Sequence, residues 1–429
     1  MSSSIREYVL QHPLFSHHDH HITFPAFEAG RESFGYRDML GYASADLETA
    51  EGGRPGSHAD EDARVVALWP RIRTTGYGRA VTLTCRELFD LEYCPKNFPA
   101  VTKALQAVFR GRTTAEIYEY LICEKANNKW LVQDGLFRPG QSSGRVEDMP
   151  LDCYRFAWRM DSLCTMVDAE PIEILERETG ISILTLDRLV DAMNASIDHH
   201  KATGRLASLK NGMAYARDLV VGDPTRHEAE AAFNRIRNRK SFHDGIQQNA
   251  GAVDAAGARP LGDYLFHRMM QRAGDDDLPV QIHTGYLAGT WKLHTGVNAS
   301  HLAPIFEKYR RVRFDIFHAS WPWSSELGAM AKNYPNVYPD LCWAWTMNPA
   351  QSQQALSEWL DAVPFNKIFG YGADTGQPWC NTGYALQARI GIARVLEEKI
   401  EAGYFSQATA EEVASAIMLR NGEEFYGLE

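Results

Sequence analysis

The chain has 429 residues, 45% of them hydrophobic and 23% charged, and a formal net charge of −11. That length suits two average domains or one large α/β barrel with a sizeable buried core. The acidic balance argues against nucleic acid or an anionic membrane as partner, and no stretch reaches the ~18 apolar residues of a membrane span. The opening MSSSIREYVLQHPLF lacks a basic region followed by a long apolar one, so no signal peptide is expected. Seven cysteines (Cys85, Cys94, Cys123, Cys153, Cys164, Cys342 and Cys380) are scattered, with no CxxC pair. They predict reduced thiols in a cytoplasmic protein rather than a disulfide framework or a structural zinc site.

In chain order, residues 15–20 predict a first strand that runs into His17-His18-Asp19-His20-His21. His18 and His20 stand two apart, so on a strand they share a face and can hold one metal ion. His17 and His21 fall on the other side and are expected to be structural. Residues 26–126 offer no barrel strand. They predict a helical insertion covering the barrel mouth, with helices over 98–110 and 113–125 and an exposed loop over 44–62. Residues 128–134 and 152–158 predict strands two and three, and residues 204–210 a fourth, ending on Lys210. The basic run 235–240 (RIRNRK) reads as a solvated helix face, and the small residues of 247–259 as a loop.

The second half has the clearest rhythm. Strands are predicted over 278–283, 312–318, 336–342 and 367–374, with helices between them over 301–310, 324–333 and 351–362. A turn at Asn381-Thr382-Gly383 then leads into helices over 384–404 and 409–420. The βαβα alternation implies a parallel sheet. His283, His318 and Asp374 each end a strand, and in a (β/α)₈ TIM barrel that end carries the active site. The expected fold is a single α/β (β/α)₈ barrel over residues 1–429, with the helical insertion between strands one and two. Imidazoles and a carboxylate around one axis suit zinc, manganese, iron or nickel. Such an ion would activate water at neutral pH, and an Asp beside it could carry the proton.

The set His18-x-His20, Lys210, His283, His318 and Asp374, with the segments PVQIHTGY, FHASWPW, YPNVYPDL and GADTG, resembles the amidohydrolase superfamily. The likeness is to its amidohydrolase-related branch, including the hydrolase-like domains fused to glutamine-synthetase-like proteins. It covers residues 14–22 and 204–376, and the KNGMAYAR segment from Lys210 to Arg217 also looks like the one after strand four there. The resemblance implies that His18, His20 and Asp374 bind a first ion, most simply zinc, with Asp374 shuttling the proton. A carboxylated Lys210 would bridge to a second ion on His283 and His318. In one-metal members His283 joins the first ion and His318 contacts substrate. The long insertion also resembles that of uronate isomerases, which usually carry an Arg two residues after the last Asp. Here Gly376 occupies that position, which weakens the isomerase reading.

Substrate contacts are less sharply drawn. Arg217 could pair with a substrate carboxylate or bind a helix terminus. Trp321, Trp323, Trp343 and Trp345 could wall an aromatic pocket or pack the loops, with Trp321 and Trp345 the chosen pocket residues. Asp340 could orient a ligand histidine. His199, His200 and His294 carry no supporting pattern. The expected activity is metal-dependent hydrolysis of an amide, ester or lactone of a small carboxylated or aromatic substrate. Non-oxidative decarboxylation and uronate isomerisation are the alternatives on the same scaffold. A homo-oligomer would be in keeping with the family.

Overall fold

The computed structural model describes residues 4–53, 56, 58–237 and 253–428. Seven strands form one sheet in the order of the chain: β1 Leu14–Asp19, β2 Asn128–Phe137, β3 Tyr154–Arg159, β4 Leu206–Asn211, β5 Val280–Ile282, β6 Phe314–Ile316 and β7 Val337–Pro339. Every neighbouring pair is parallel. Parallel neighbours need long crossovers, and helices supply them on the outside.

The eighth strand expected over 367–374 forms no regular ladder, yet its backbone closes the ring. Phe369 N–H donates to Pro339 O beside β7, while His17 N–H donates to Tyr371 O and Asp374 N–H to His18 O beside β1. Gly372 makes this closure possible: a Cβ there would lie 2.4 Å from Cys342 Sγ. The result is a (β/α)₈ TIM barrel whose last staves are irregular because glycine-rich backbone has to pass between two strands at close range.

Inside the barrel, the end opposite the strand C-termini is filled by Phe15, Val132, Ala157, Ala207 and Phe369, capped by Phe425 and Tyr426 of the final helix Asn421–Tyr426. Tyr426 Oη donates to Asp315 Oδ2 at 2.7 Å and accepts from Gln281 Nε2 at 2.7 Å. The plug is therefore apolar except where it meets these buried polar groups.

Between β1 and β2 the chain is largely helical: Phe24–Gly30, Ala43–Ala50, Glu61–Ile72, Gly76–Phe89, Phe98–Phe109 and Thr114–Tyr118, then a wide turn Glu119–Lys125. The loop expected over 44–62 is thus a correction in part. Ala43–Ala50 is helical, and Asp60 caps the next helix by accepting from Ala63 N–H. The basic run falls partly on the helix Arg226–Arg237; its residues 238–240 lie outside the described residues. So do residues 247–252 of the expected small-residue loop, whose later residues open the helix Ala255–Asp275 under an Asp254 cap. Asn381-Thr382-Gly383 is not a turn. It lies in the first turn of the helix Cys380–Glu401, where Gly383 lets that helix pack against Gly76–Phe89.

A Cβ on Gly383 would meet Thr84 Oγ1 at 2.2 Å and the Ala80 carbonyl at 2.4 Å. Gly383→Ala is therefore expected to cost ~1–3 kcal/mol as overpacking, read as a lowered urea midpoint. An unchanged midpoint would contradict this helix contact.

Candidate metal centre at the strand ends

All six strand-end residues lie near the C-terminal ends of their strands, and five of them meet directly. His18 Nε2 and His20 Nε2 are 3.1 Å apart, and His20 Nε2 is 3.1 Å from Asp374 Oδ1. The other carboxylate oxygen, Asp374 Oδ2, lies 3.6 Å from His318 Nε2, which in turn is 3.0 Å from His283 Nδ1. Asp374 thus stands between two histidine pairs, one on each oxygen. The sequence keeps these side chains in place through unusual backbone: His318, Ala319, Ser320, Trp343 and Asp374 all have positive φ, at 63°, 54°, 46°, 59° and 51°. Non-glycine residues cluster in that region where surrounding structure over-determines them, often at functional sites.

The tautomers follow from the outer nitrogens. His318 Nδ1 lies 3.0 Å from the Cys342 carbonyl, and His283 Nε2 lies 2.9 Å from the Tyr286 carbonyl. A carbonyl only accepts, so these nitrogens carry the hydrogens, and the lone pairs of His318 Nε2 and His283 Nδ1 face each other. Two such lone pairs at 3.0 Å repel unless a cation lies between or beside them. That is the donor chemistry of a metal centre, with backbone carbonyls holding the ligand rings. His18, His20 and Asp374 form one metal-capable group, and His318, Cys342 and Asp374 another. Burial and the charge of Asp340 push the Cys342 thiol well above its ordinary range, so it rests as a thiol.

Burial and nearby Lys210 hold His18 well below the ordinary histidine range, burial and His318 do the same for His283, and burial lowers His318 to about 4. The three rest neutral, as ligands must. For Asp374, burial works against ionisation, but His20, His318 and Lys210 outweigh it and the carboxyl is held below its usual range. Lys210 is buried with its Nζ 3.6 Å from the centre of the Phe317 ring and without a hydrogen-bond partner among the described residues. Burial, resisted by Asp134, lowers it to about 8.

Two residues at this centre escaped the sequence reading. Asp134, on β2, places Oδ2 3.6 Å from His18 Nε2 and 2.5 Å from Arg159 Nη1. Arg159, at the end of β3, also binds Asp161 at 2.7 Å. Asp134 closes the segment read as strand two, which was the available signal. Arg159 lies one residue past the predicted strand three.

Aromatic rings pack around the centre. Tyr42 Oη is 3.4 Å from Asp374 Oδ1, and its ring packs on Trp343, which stands edge-on to His318. Tyr286 bridges Trp343 and Trp321, and Tyr215 packs on His283.

Three expectations are corrected. Trp345 is buried in the core: its Nε1 donates to the Gly370 carbonyl and its ring lies against Gly391. Trp343, two residues earlier, takes the place at the histidines. Arg217 is committed to Asp263 at 2.5 Å and lines a separate cavity of about 160 Å³ with Cys164, Met166 and Arg259. The tight turn Met213–Tyr215 carries it away from the metal centre. Asp340 does not bond a ligand histidine. Its carboxylate accepts from Cys342 N–H and its carbonyl from Ala319 N–H, so it shapes the turn whose Cys342 carbonyl holds His318. His17 and His21 are buried off the centre, with His17 Nδ1 3.7 Å from Asp315 and His21 bonded to Tyr154 and Asn381. His200 stacks on Phe137.

Eight histidines among the described residues are held below 6.5 by burial. Their unfolded forms take up protons first as pH falls from about 6.5 towards 4, so the chelated protein should lose stability over that window. The full His318 shift corresponds to on the order of 3 kcal/mol. Asp19, raised to about 8 by burial, opposes this, as do Asp340 and Asp46, which burial also raises; the eight histidines outnumber them. Urea midpoints measured from pH 7 down to 4.5 check it; a flat or rising profile would contradict neutral buried imidazoles.

The amidohydrolase family model matches residues 226–428. That span includes His283, His318 and Asp374 but not His18, His20 or Lys210. Protein fluG of Emericella nidulans is 26% identical over 204 residues, 44% of this chain and 22% of that protein, so the match spans about a fifth of the relative's length. Among solved structures, the uronate isomerase of Thermotoga maritima shares the fold at a TM-score of 0.76 with 13% identity, over 98% of this chain and 96% of that one. The glucuronate isomerase of Caulobacter crescentus matches at 0.76 with 16% identity, over 99% and 93%. A Lactobacillus casei protein assigned as a metal-dependent hydrolase matches at 0.67 with 16% identity, over 100% and 98%. No helix among the described residues is long and apolar enough to cross a membrane. The family match over residues 226–428 bears out the chain's resemblance to the amidohydrolases in its second half, and the solved structures share its barrel fold along nearly the whole length.

Proposed function

We propose that this protein is a metal-dependent hydrolase that cleaves an amide, ester or lactone of a small carboxylated or aromatic substrate. The observation that carries the reading is the pair of imidazole lone pairs facing each other at 3.0 Å beside an ionised Asp374. His18, His20 and Asp374 would hold one divalent ion, most simply zinc. His283 and His318 would hold a second if Lys210 carries a carboxylate, or His283 would join the first. When bound, such an ion supplies Lewis acidity, polarising a carbonyl and acidifying water.

The chain's own groups account for the rest. Asp374 rests ionised, so it can accept the proton of the attacking water and return it to the leaving group. Tyr42, 3.4 Å from that carboxylate, can donate a hydrogen bond to it and hold its orientation. Trp343, Tyr286 and Trp321 offer flat faces to a substrate ring and exclude water. Arg159, already paired with Asp134, keeps positive charge near the ligands.

One observation favours a second reading, an isomerase: the fold shared with uronate and glucuronate isomerases over nearly the whole chain. Product analysis separates the readings. Hydrolysis yields an acid with an amine or alcohol, decarboxylation releases carbon dioxide, and isomerisation yields a ketose from a uronate.

Asp374→Asn is expected to lower turnover by ~10²–10⁴-fold with the circular dichroism spectrum retained; near-normal turnover would remove Asp374 as the proton carrier. His18→Ala is expected to reduce bound metal per chain, read by plasma mass spectrometry. Unchanged stoichiometry would count against His18 as a ligand.

A further inference from the structure

Cys123 and Cys153 are brought together by the fold, although 30 residues of sequence separate them, and their Sγ atoms lie 3.7 Å apart. Cys123 lies in the wide turn Glu119–Lys125 that precedes β2, and Cys153 immediately precedes β3. β3 pairs with β2 from its first residue, Tyr154, opposite Leu131, and Leu131 N–H donates to the Cys153 carbonyl, so the feet of β2 and β3 hold both cysteines. Both are half-buried, whereas Cys85, Cys164, Cys342 and Cys380 are buried. The pair sits at the strand N-termini, the end of the barrel opposite the histidine cluster, where conservation of a barrel serves stability rather than chemistry.

We propose that Cys123 and Cys153 form a reversible dithiol–disulfide site whose co-reactant is a low-molecular-weight disulfide. A protein disulfide needs its sulfurs at about 2.05 Å, so the contact must shorten by roughly 1.7 Å, a movement within reach of side-chain rotation and small adjustment of the turn. Cys123 is the attacking group. The two sulfurs share one hydrogen bond across the 3.7 Å contact, and sharing it lowers the Cys123 thiol and pushes Cys153 well above its ordinary range, so Cys123 is the more readily ionised of the two.

The Cys123 thiolate attacks one sulfur of the small disulfide, forming a mixed disulfide and releasing one thiolate. Cys153 then gives up its proton and attacks Cys123 Sγ, breaking the mixed disulfide and releasing the second thiol. The protein dithiol is oxidised, one small disulfide is reduced to two thiols, and both protein protons leave with them. The bond would staple the last turn before β2 to the foot of β3.

The test equilibrates the full chain with oxidised and reduced glutathione over a range of ratios, quenches with N-ethylmaleimide and maps tryptic peptides without reduction. The expected species joins residues 113–125 to residues 146–155, grows as the glutathione becomes more oxidised and disappears on reduction. Cys153→Ser should retain glutathione on residue 123, because nothing resolves the mixed disulfide, while Cys123→Ser should leave Cys153 largely unmodified. Absence of the linked peptide at the most oxidising ratio would overturn the proposal, as would equal glutathione capture by both variants. Either result is independent of the metal centre, whose residues lie at the other end of the strands.

Discussion

The arrangement depends on an electrostatic conflict at the C-terminal end of the barrel. Four imidazoles and one carboxylate stand in a chain of contacts of 3.0 to 3.6 Å, and most of them are sealed from water. Burial keeps His18, His283 and His318 neutral, and backbone carbonyls take the outer hydrogens of His283 and His318. Their inner lone pairs are left facing each other across 3.0 Å. Such an arrangement is poorly stable in itself and well suited to a cation. The strand ends that carry it adopt left-handed backbone at five non-glycine positions, a local cost that the surrounding barrel must offset.

The rest of the fold can be read as support for that cluster. The irregular closing segment lets Asp374 approach β1, because Gly372 allows backbone to pass close to Cys342. Asp340 holds the turn that aims the Cys342 carbonyl at His318, and Asp134 with Arg159 brings charge from β2 and β3 to the His18 side. The final helix fills the opposite end of the barrel with aromatic rings. From the stretch between β1 and β2, Tyr42, at the start of the helix Ala43–Ala50, reaches Asp374.

Much of this was legible in the amino-acid order. His283, His318 and Asp374 each follow a short apolar run, and a barrel makes such ends converge, so hydrophobic patterning and topology alone bring them together. Side-chain destinations in loops were less legible. Trp343 and Trp345 differ by two residues, and the left-handed turn at Trp343 decides which ring meets His318; no periodicity encodes that turn. Arg217 follows a tight turn that sends it to Asp263 instead of the centre. Asp134 and Arg159 were hidden because their strands carry mixed polar and apolar residues with no motif at the end. Asn381-Thr382-Gly383 has turn chemistry locally, but tertiary packing overrides it: the glycine serves a helix–helix contact.

The most direct test is anomalous diffraction from crystals of zinc-reconstituted protein, read beside metal content per chain. An anomalous peak is expected within coordinating distance of His18, His20 and Asp374, with at least one equivalent of metal. Density at Lys210 and a second peak on His283 and His318 would distinguish the two-ion arrangement from the one-ion form. A protein that binds no metal after reconstitution, with water or shared protons between the imidazoles, would contradict the central claim while leaving the barrel intact.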